Sequence, residues 1–183
     1  CLNSIPESFR NIDILINNAG LARGKSKIQD GLLSDWEEMI DTNIKGLLYV
    51  SNHVIQGMKT RNTGHIINIG SIAGKEVYPQ GNVYCATKKA VDALSQAMRI
   101  DLMEHTIKVT QICPGAVNTE FSKVRYHGDQ AQADAVYHGF LPLQAEDVAD
   151  AIFYCTNLPA HVCINDLTIM PTAQASATNL LKS

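Results

Sequence analysis

Two residues of the stretch "NVYCATKKAV" (82–91), Tyr84 and Lys88, are spaced for proton transfer. On a helix, positions i and i+4 lie one above the other with Cβ atoms ~5–6 Å apart, so the phenol and the ammonium share a face. A phenol with a pKa of ~10 is poorly matched to acid–base work near neutral pH. A fixed ammonium ~5 Å away at an effective dielectric of ~20 favours the phenolate by roughly 3 kcal/mol, or about two pKa units, so Lys88 is the expected tuner. Taken alone, the same spacing also suits an ordinary amphipathic surface turn. Thirteen residues before the tyrosine, Ser71 in "GSIAG" follows an apolar run and places a small hydroxyl at its end. Asn43, in "DTNIKG", falls inside a helical pattern on its apolar side, where an amide is unfavourable unless it has a polar partner.

Four short Ile- and Val-rich runs can carry these groups: "IDILI" (12–16), "HIINIG" (65–70), "IKVTQIC" (107–113) and "CINDLTIM" (163–170). Each reads as a buried strand. Helical patterns separate them, from Ser34 to about Thr60, from about Val83 to His105, and from about Ala145 to Asn157. Strands alternating with helices of this length predict right-handed crossovers and an α/β fold with a parallel sheet, which binds ligands at the carboxyl ends of its strands. "SDWE" suggests a capping box, Ser34 with Glu37, at the start of the first helix. Trp36, Ile40, Leu47, Val54 and Met58 keep helical spacing and are expected to face the sheet. A second apolar set, Met39, Ile44, Leu48 and Ile55, lies off that face. The helix after Tyr84 likewise has Ala86, Ala90, Leu94 and Ala97 on one side and Val91, Met98 and Leu102 on another, a pattern that predicts a second subunit covering both helices.

The ordered set of "NNAG" (17–20), Asn43, Ser71, Tyr84-x-x-x-Lys88 and Pro114-Gly115 resembles the short-chain dehydrogenase/reductase family across essentially the whole chain. The resemblance implies a Rossmann-like, doubly wound parallel sheet and NAD(P)-dependent oxidoreductase chemistry. Tyr84 would be the general acid–base. Lys88 would lower its pKa and hold the nicotinamide ribose, Ser71 would orient and polarise the substrate oxygen, and Asn43 would anchor a water in the proton relay. Asn18, Ala19 and Gly20 would lie along the cofactor, and Pro114, Gly115, Val117 and Thr119 would cover its nicotinamide end. "TEFSKVRYHGD", "LQAEDVADAIFY" and "IMPTAQAS" further resemble the branch of NADP-dependent 3-hydroxy acid dehydrogenases, which includes serine 3-dehydrogenase and malonic semialdehyde reductase activities. The substrate would then be a small acid with an alcohol or carbonyl at its third carbon. Arg125 is the candidate carboxylate clamp because a guanidinium fits a carboxylate with two prongs.

The family's glycine-rich turn, T-G-x-x-x-G-x-G, which sets backbone amides against the pyrophosphate, is absent from these residues. "CLNSIPESFRNIDILI" resembles the end of the helix leading into the family's fourth strand. The expectation is therefore a single Rossmann-type domain over 1–183 that lacks its first strands, is inactive by itself, and leaves "IDILI" as an exposed edge. NADP follows from the branch resemblance, and NAD stays open. Three other readings keep the fold: a catalytically silent dinucleotide sensor or scaffold, an enzyme acting on a different alcohol or ketone, and an epimerase or dehydratase.

Fifteen basic against eighteen acidic residues give a net charge of −3, with no long run of either sign, so neither nucleic acid nor an anionic membrane is an expected partner. Five scattered cysteines (Cys1, Cys85, Cys113, Cys155, Cys163) and six histidines without i, i+4 pairs suggest no metal and a reducing compartment. No run of ~18 apolar residues and no signal organisation is present. A cytoplasmic, soluble homo-oligomer, a tetramer by family resemblance, with a small-molecule substrate is the expectation.

Overall fold

Strand β1 (Ile14–Asn17), β2 (Gly64–Ile69), β3 (Ile107–Pro114) and β4 (Asp166–Ile169) pair in that order, all parallel, in a computed structural model that describes residues 4–183. Cys1 lies outside the described residues. Ile14 pairs with His65, Gly64 with Ile107, and Gln111 with Asp166, so Asn17, Ile69, Pro114 and Ile169 end on one edge. The two inner strands are almost wholly buried, whereas β1 and β4 are half exposed, as befits the edges of this sheet. Ile14 and Ile16 are both 45% exposed on the β1 edge.

Side-chain alternation along β2 fixes the two faces. Ile66 packs with Leu47, Val54 and Met58 of α2 (Leu47–Arg61) and with Val91 and Met98 of α3 (Asn82–Asp101). Its neighbour Ile67 packs with Ile112 and with Cys155 of α6 (Ala145–Thr156). Helices thus cover both faces, as the strand-and-helix pattern predicts. Two short helices in the stretch after β3, α4 (Phe121–Arg125) and α5 (Gln130–Tyr137), have no counterpart in the sequence reading. The expected fourth strand shortens to four residues, and the helix after Tyr84 ends at Asp101 instead of His105. Among the described residues no helix is long and apolar enough to cross a membrane.

The helix expected from Ser34 is three pieces in one: α1 (Leu33–Ile40), a wider π-helical stretch over Asp41–Gly46, and α2. A π turn accommodates one extra residue. Leu47, Ser51, Val54 and Met58 therefore face inward as the periodicity predicts, but upstream the buried positions slip by one, to Asp35, Met39 and Asn43. Trp36 becomes half-buried and Ile40 exposed, which corrects the expected inward face. The capping box is corrected as well. Leu32 holds the N-cap position with no side-chain hydrogen bond, while Gln144 and Asp147 form such a box at α6. On α3 the buried line is Tyr84, Lys88, Val91, Ser95 and Met98; Ala86 and Ala97 are exposed.

His65, the second residue of β2, is 4% exposed and shares a 2.8 Å hydrogen bond through Nε2 with the Thr110 hydroxyl, while Nδ1 has no partner. Burial, helped by the nearby Lys108 charge, lowers its pKa to about 4. The unfolded chain takes up this proton near pH ~6.5 and the folded chain does not, so stability is lost as pH falls from there towards 4. The full difference amounts to about 3 kcal/mol. Denaturant unfolding at pH 7 and pH 4.5 is expected to show this loss, and His65→Gln to remove most of it; an unchanged slope would refute the assignment.

Candidate active site

Ser71 follows β2 in extended backbone, and its Oγ accepts the Ala73 amide at 3.1 Å. With that lone pair engaged, the hydroxyl proton is free to point elsewhere, and the Ser71 side chain is near enough to the Tyr84 phenol to favour its phenolate form. Tyr84 and Lys88 sit on the first turns of α3, 8% and 6% exposed. The Tyr84 ring packs against Phe121 of α4 at 5.5 Å between centroids. The Arg125 guanidinium lies 5.7 Å from the same ring and 5.5 Å from the ring of Tyr78.

Burial raises the Tyr84 pKa well above that of an ordinary phenol, and the neighbouring Tyr78 adds to the rise; the nearby Ser71 hydroxyl and the Arg125 charge oppose it. This departs from the expectation that Lys88 does most of the tuning and lowers the phenol's pKa. Lys88 Nζ donates to the Ile69 carbonyl at 2.9 Å, so the ammonium is anchored on the end of β2. Burial lowers its own pKa to about 8, which puts its charge at the mercy of the pH around it.

Asn43 is buried at the π-helical stretch and brackets the chain leaving β1: Nδ2 donates to Leu21 O at 2.8 Å and Oδ1 accepts Leu21 N at 2.8 Å. Its second N–H reaches Thr87 Oγ1 at 3.0 Å, and Thr87 donates to the Tyr84 carbonyl at 2.8 Å. The inward amide thus finds the partners its position demands, and one Oδ1 lone pair remains for a water. A second chain of amides and hydroxyls stabilises the same strand ends: Asn17 Nδ2 donates to Ser51 Oγ at 2.9 Å and to Asn68 Oδ1 at 2.8 Å, and Asn68 Nδ2 donates to Ser95 Oγ at 2.9 Å.

Asn18, Ala19 and Gly20 are exposed where β1 ends. A Cβ on Gly20 would lie 3.2 Å from Lys88 Nζ and 3.3 Å from Asn43 Oδ1, so only glycine leaves this corner open. Pro114 closes β3 against Ile169, and the Gly115 amide donates to Ile169 O at 2.8 Å. Val117 O accepts the Tyr137 hydroxyl at 2.7 Å, and Thr119 Oγ1 accepts the Phe121 amide at 3.2 Å at the head of α4. These four residues therefore shape the turn that leads from β3 to α4.

Arg125 is placed by contacts far apart in sequence. Its Nη1 donates to the Tyr78 hydroxyl at 2.9 Å and its Nε to Gly24 O at 3.2 Å, while Gly24 N donates back to Arg125 O at 2.9 Å. Arg23 adds a two-pronged pair with Glu38, at 2.7 and 2.9 Å, and donates to Val124 O at 2.7 Å. A pocket lined by Trp36, Met39, Asn82, Tyr84 and Arg125 results. Tyr78 and Phe121 are neighbours of Arg125 and Tyr84 that the sequence alone does not single out. The one signal for Tyr78 is an aromatic residue beside Pro79 in the loop running up to Tyr84.

A family model described as short chain dehydrogenase matches residues 1–130. The NADP-dependent 3-hydroxy acid dehydrogenase YdfG of Shigella flexneri is 50% identical over 177 residues, 96% of this chain and 71% of that protein. Sulfoacetaldehyde reductase 2 of Chromohalobacter salexigens is 47% identical over 175 residues, 95% of this chain and 69% of that protein. Among solved structures, the closed form of serine dehydrogenase complexed with NADP+ superposes with a TM-score of 0.95 at 48% identity, covering all of this chain and 74% of that one. The chain belongs to the short-chain dehydrogenase family and is an oxidoreductase of that class.

Proposed function

We propose that this protein transfers a hydride between NADP and the 3-position of a small hydroxy or oxo acid, with Tyr84 exchanging the proton. The observation that carries this reading is the Arg125 guanidinium held between Tyr78 and Tyr84 in the pocket, a fixed cation beside the acid–base group. Such a cation suits a short substrate whose acid group lies a carbon or two from the reacting carbonyl. The 50% identical relative is named for NADP and for 3-hydroxy acids, and the serine dehydrogenase structure holds NADP+. The residues present fit that cofactor: Asn18 and Ala19 are exposed, and Gly20 leaves Lys88 reachable where a side chain would crowd it. NADP, when bound, supplies or accepts the hydride.

In the reducing direction Tyr84 gives its proton to the carbonyl oxygen, and Ser71 donates a hydrogen bond to the same oxygen as charge develops on it. Lys88 supplies positive charge and donors at the sheet edge, and Asn43 holds the strand exit that faces it. A sulfonate presents the same charge to Arg125, and a 47% identical relative is named a sulfoacetaldehyde reductase. Exposed Tyr49 of α2 and Ile100 of α3, with Met103 just beyond, favour a homo-oligomer built on these helices.

The test is NADPH oxidation over a panel of 3-oxo acids, small sulfonated aldehydes and uncharged aldehydes of matched size. Hydrogen bonds to a charged group contribute ~1.5–3 kcal/mol, so Arg125→Met is expected to lower kcat/KM for the acids by about 10- to 100-fold relative to the uncharged substrates. An equal fall for both sets would remove the acid specificity and leave the oxidoreductase reading standing.

A further inference from the structure

Behind Ser71, four residues away along the loop, Lys75 meets two carboxylates from other elements. Its Nζ lies 2.7 Å from Asp92 Oδ1 on α3 and 2.6 Å from Asp166 Oδ2 at the start of β4. Asp92 is one helical turn beyond Lys88, and its side chain is 7% exposed. Gln96 and Lys89 occupy the other Asp92 oxygen, at 3.2 and 3.3 Å. Gln111 of β3 is fully buried beneath them; with its amide nitrogen turned to the acids it donates to Asp92 Oδ1 at 2.9 Å and to Asp166 Oδ2 at 3.1 Å.

The loop between Ser71 and Lys75 has no slack. A Cβ on Gly74 would stand 2.6 Å from the Lys88 carbonyl, so loop backbone rests directly on α3 backbone at the residue that carries the ammonium. At the other end, a Cβ on Gly70 would run into Gln111 and lie 3.0 Å from Cys113 Sγ. Ser71 is thus seated between two close approaches, one to β3 side chains and one to α3 backbone, and Lys75 is the side chain that ties the far end of the loop to the helix bearing Tyr84 and Lys88.

We propose that Lys75, Asp92 and Asp166, with Gln111, form a clamp that positions Ser71 against Tyr84 and Lys88. They are positioning residues: none touches the reacting atoms, and their effect on turnover passes through the serine hydroxyl. The proposal rests on the reading of Ser71 as the group facing the substrate oxygen. A two-carboxylate grip on one lysine resists displacement in more directions than a single pair, and its partial burial spares it the screening that weakens surface pairs.

The experiment uses the protein with NADPH and a 3-oxo acid, in the parent and in Ser71→Ala, each with and without Asp92→Asn. A displaced reacting group is costly, and groups acting through one another are not additive. Asp92→Asn is expected to lower kcat about tenfold with KM within about twofold in the parent, and to change kcat less than twofold once Ser71 is alanine. Lys75→Met is expected to match it, and Lys75→Arg to restore most of the rate. A second readout needs no activity: amide hydrogen exchange of residues 71–76 should quicken about tenfold in Lys75→Met while that of α3 is unchanged. Equal effects of Asp92→Asn in both backgrounds, or unchanged exchange at 71–76, would overturn the clamp. Full turnover by Ser71→Ala alone would instead overturn the reading of the site. If Asp92→Asn fails to fold, Asp166→Asn, at the more exposed acid, takes its place with the same criteria.

Discussion

Replacing Tyr84 with phenylalanine is expected to lower kcat for carbonyl reduction by about 10²- to 10⁴-fold, the range that a positioned general acid contributes. The ring is the part of Tyr84 that packs, against Phe121 and beneath Arg125, and phenylalanine keeps it. What is lost is the hydroxyl, with the proton it carries and the influence of the neighbouring Ser71 on it. The stability cost is therefore about 1 kcal/mol, so melting temperature and NADPH binding stay near those of the parent. The raised pKa of Tyr84 also gives the two directions different pH profiles. Reduction needs the protonated phenol, which persists across neutral pH, so its rate is flat there. Oxidation needs the phenolate, so its rate climbs with pH into the alkaline range. Steady-state rates in both directions for Tyr84→Phe and parent test both points; a variant retaining a tenth or more of the parent rate would remove Tyr84 from the proton transfer.

The groups that share a strand end or a helix face were legible from the chain itself. Tyr84 and Lys88 are fixed by one helical turn, and Ser71 by its place after β2, because period and strand boundaries are local properties. Asn43 was legible as a residue needing a partner, but the π-helical stretch that aims it inward was not. One extra residue in a turn leaves no mark in composition, and it moved the buried line from Trp36 and Ile40 to Asp35 and Met39.

What surrounds Arg125 was hidden for a different reason. Gly24 and Arg125 are 101 positions apart, and Tyr78 and Arg125 are 47 apart, so their contacts exist only after the sheet has brought the loops over one edge. The short helix α4 that carries Arg125 is five residues long, too short for any apolar period to announce it. The upward direction of the Tyr84 shift is hidden in the chain on similar grounds. A Coulomb estimate from spacing credits Lys88 with a clear path to the phenol, whereas burial dominates and the ammonium is committed to Ile69 O.

Lys88→Met is expected to act with opposite signs on stability and on turnover. The folded-state pKa of Lys88 is lowered by burial to about 8, while an unfolded lysine titrates near ~10.4. Below pH 8 both states are charged and the fold bears the whole cost of burying the ammonium, about 3 kcal/mol by the size of the shift. Between 8 and 10.4 the folded protein releases its proton first, and the cost fades. Methionine has a similar length and no charge. It forfeits the hydrogen bond to Ile69 O, about 1 kcal/mol, and is left about 2 kcal/mol more stable than the parent at pH 7. That advantage is gone by pH ~10, and above ~10.4 the variant is about 1 kcal/mol less stable, because only the lost hydrogen bond remains. Turnover moves the other way, because an ammonium that binds the cofactor or steadies a phenolate contributes ~1.5–3 kcal/mol, so kcat/KM falls by about 10- to 100-fold. Thermal unfolding of parent and variant without cofactor at pH 7 and pH 10.5, beside NADPH oxidation at pH 7, separates the two effects. A variant less stable than the parent at pH 7 would mean that Lys88 supports the fold, and that its place beside Tyr84 is not held at a cost for the sake of the chemistry.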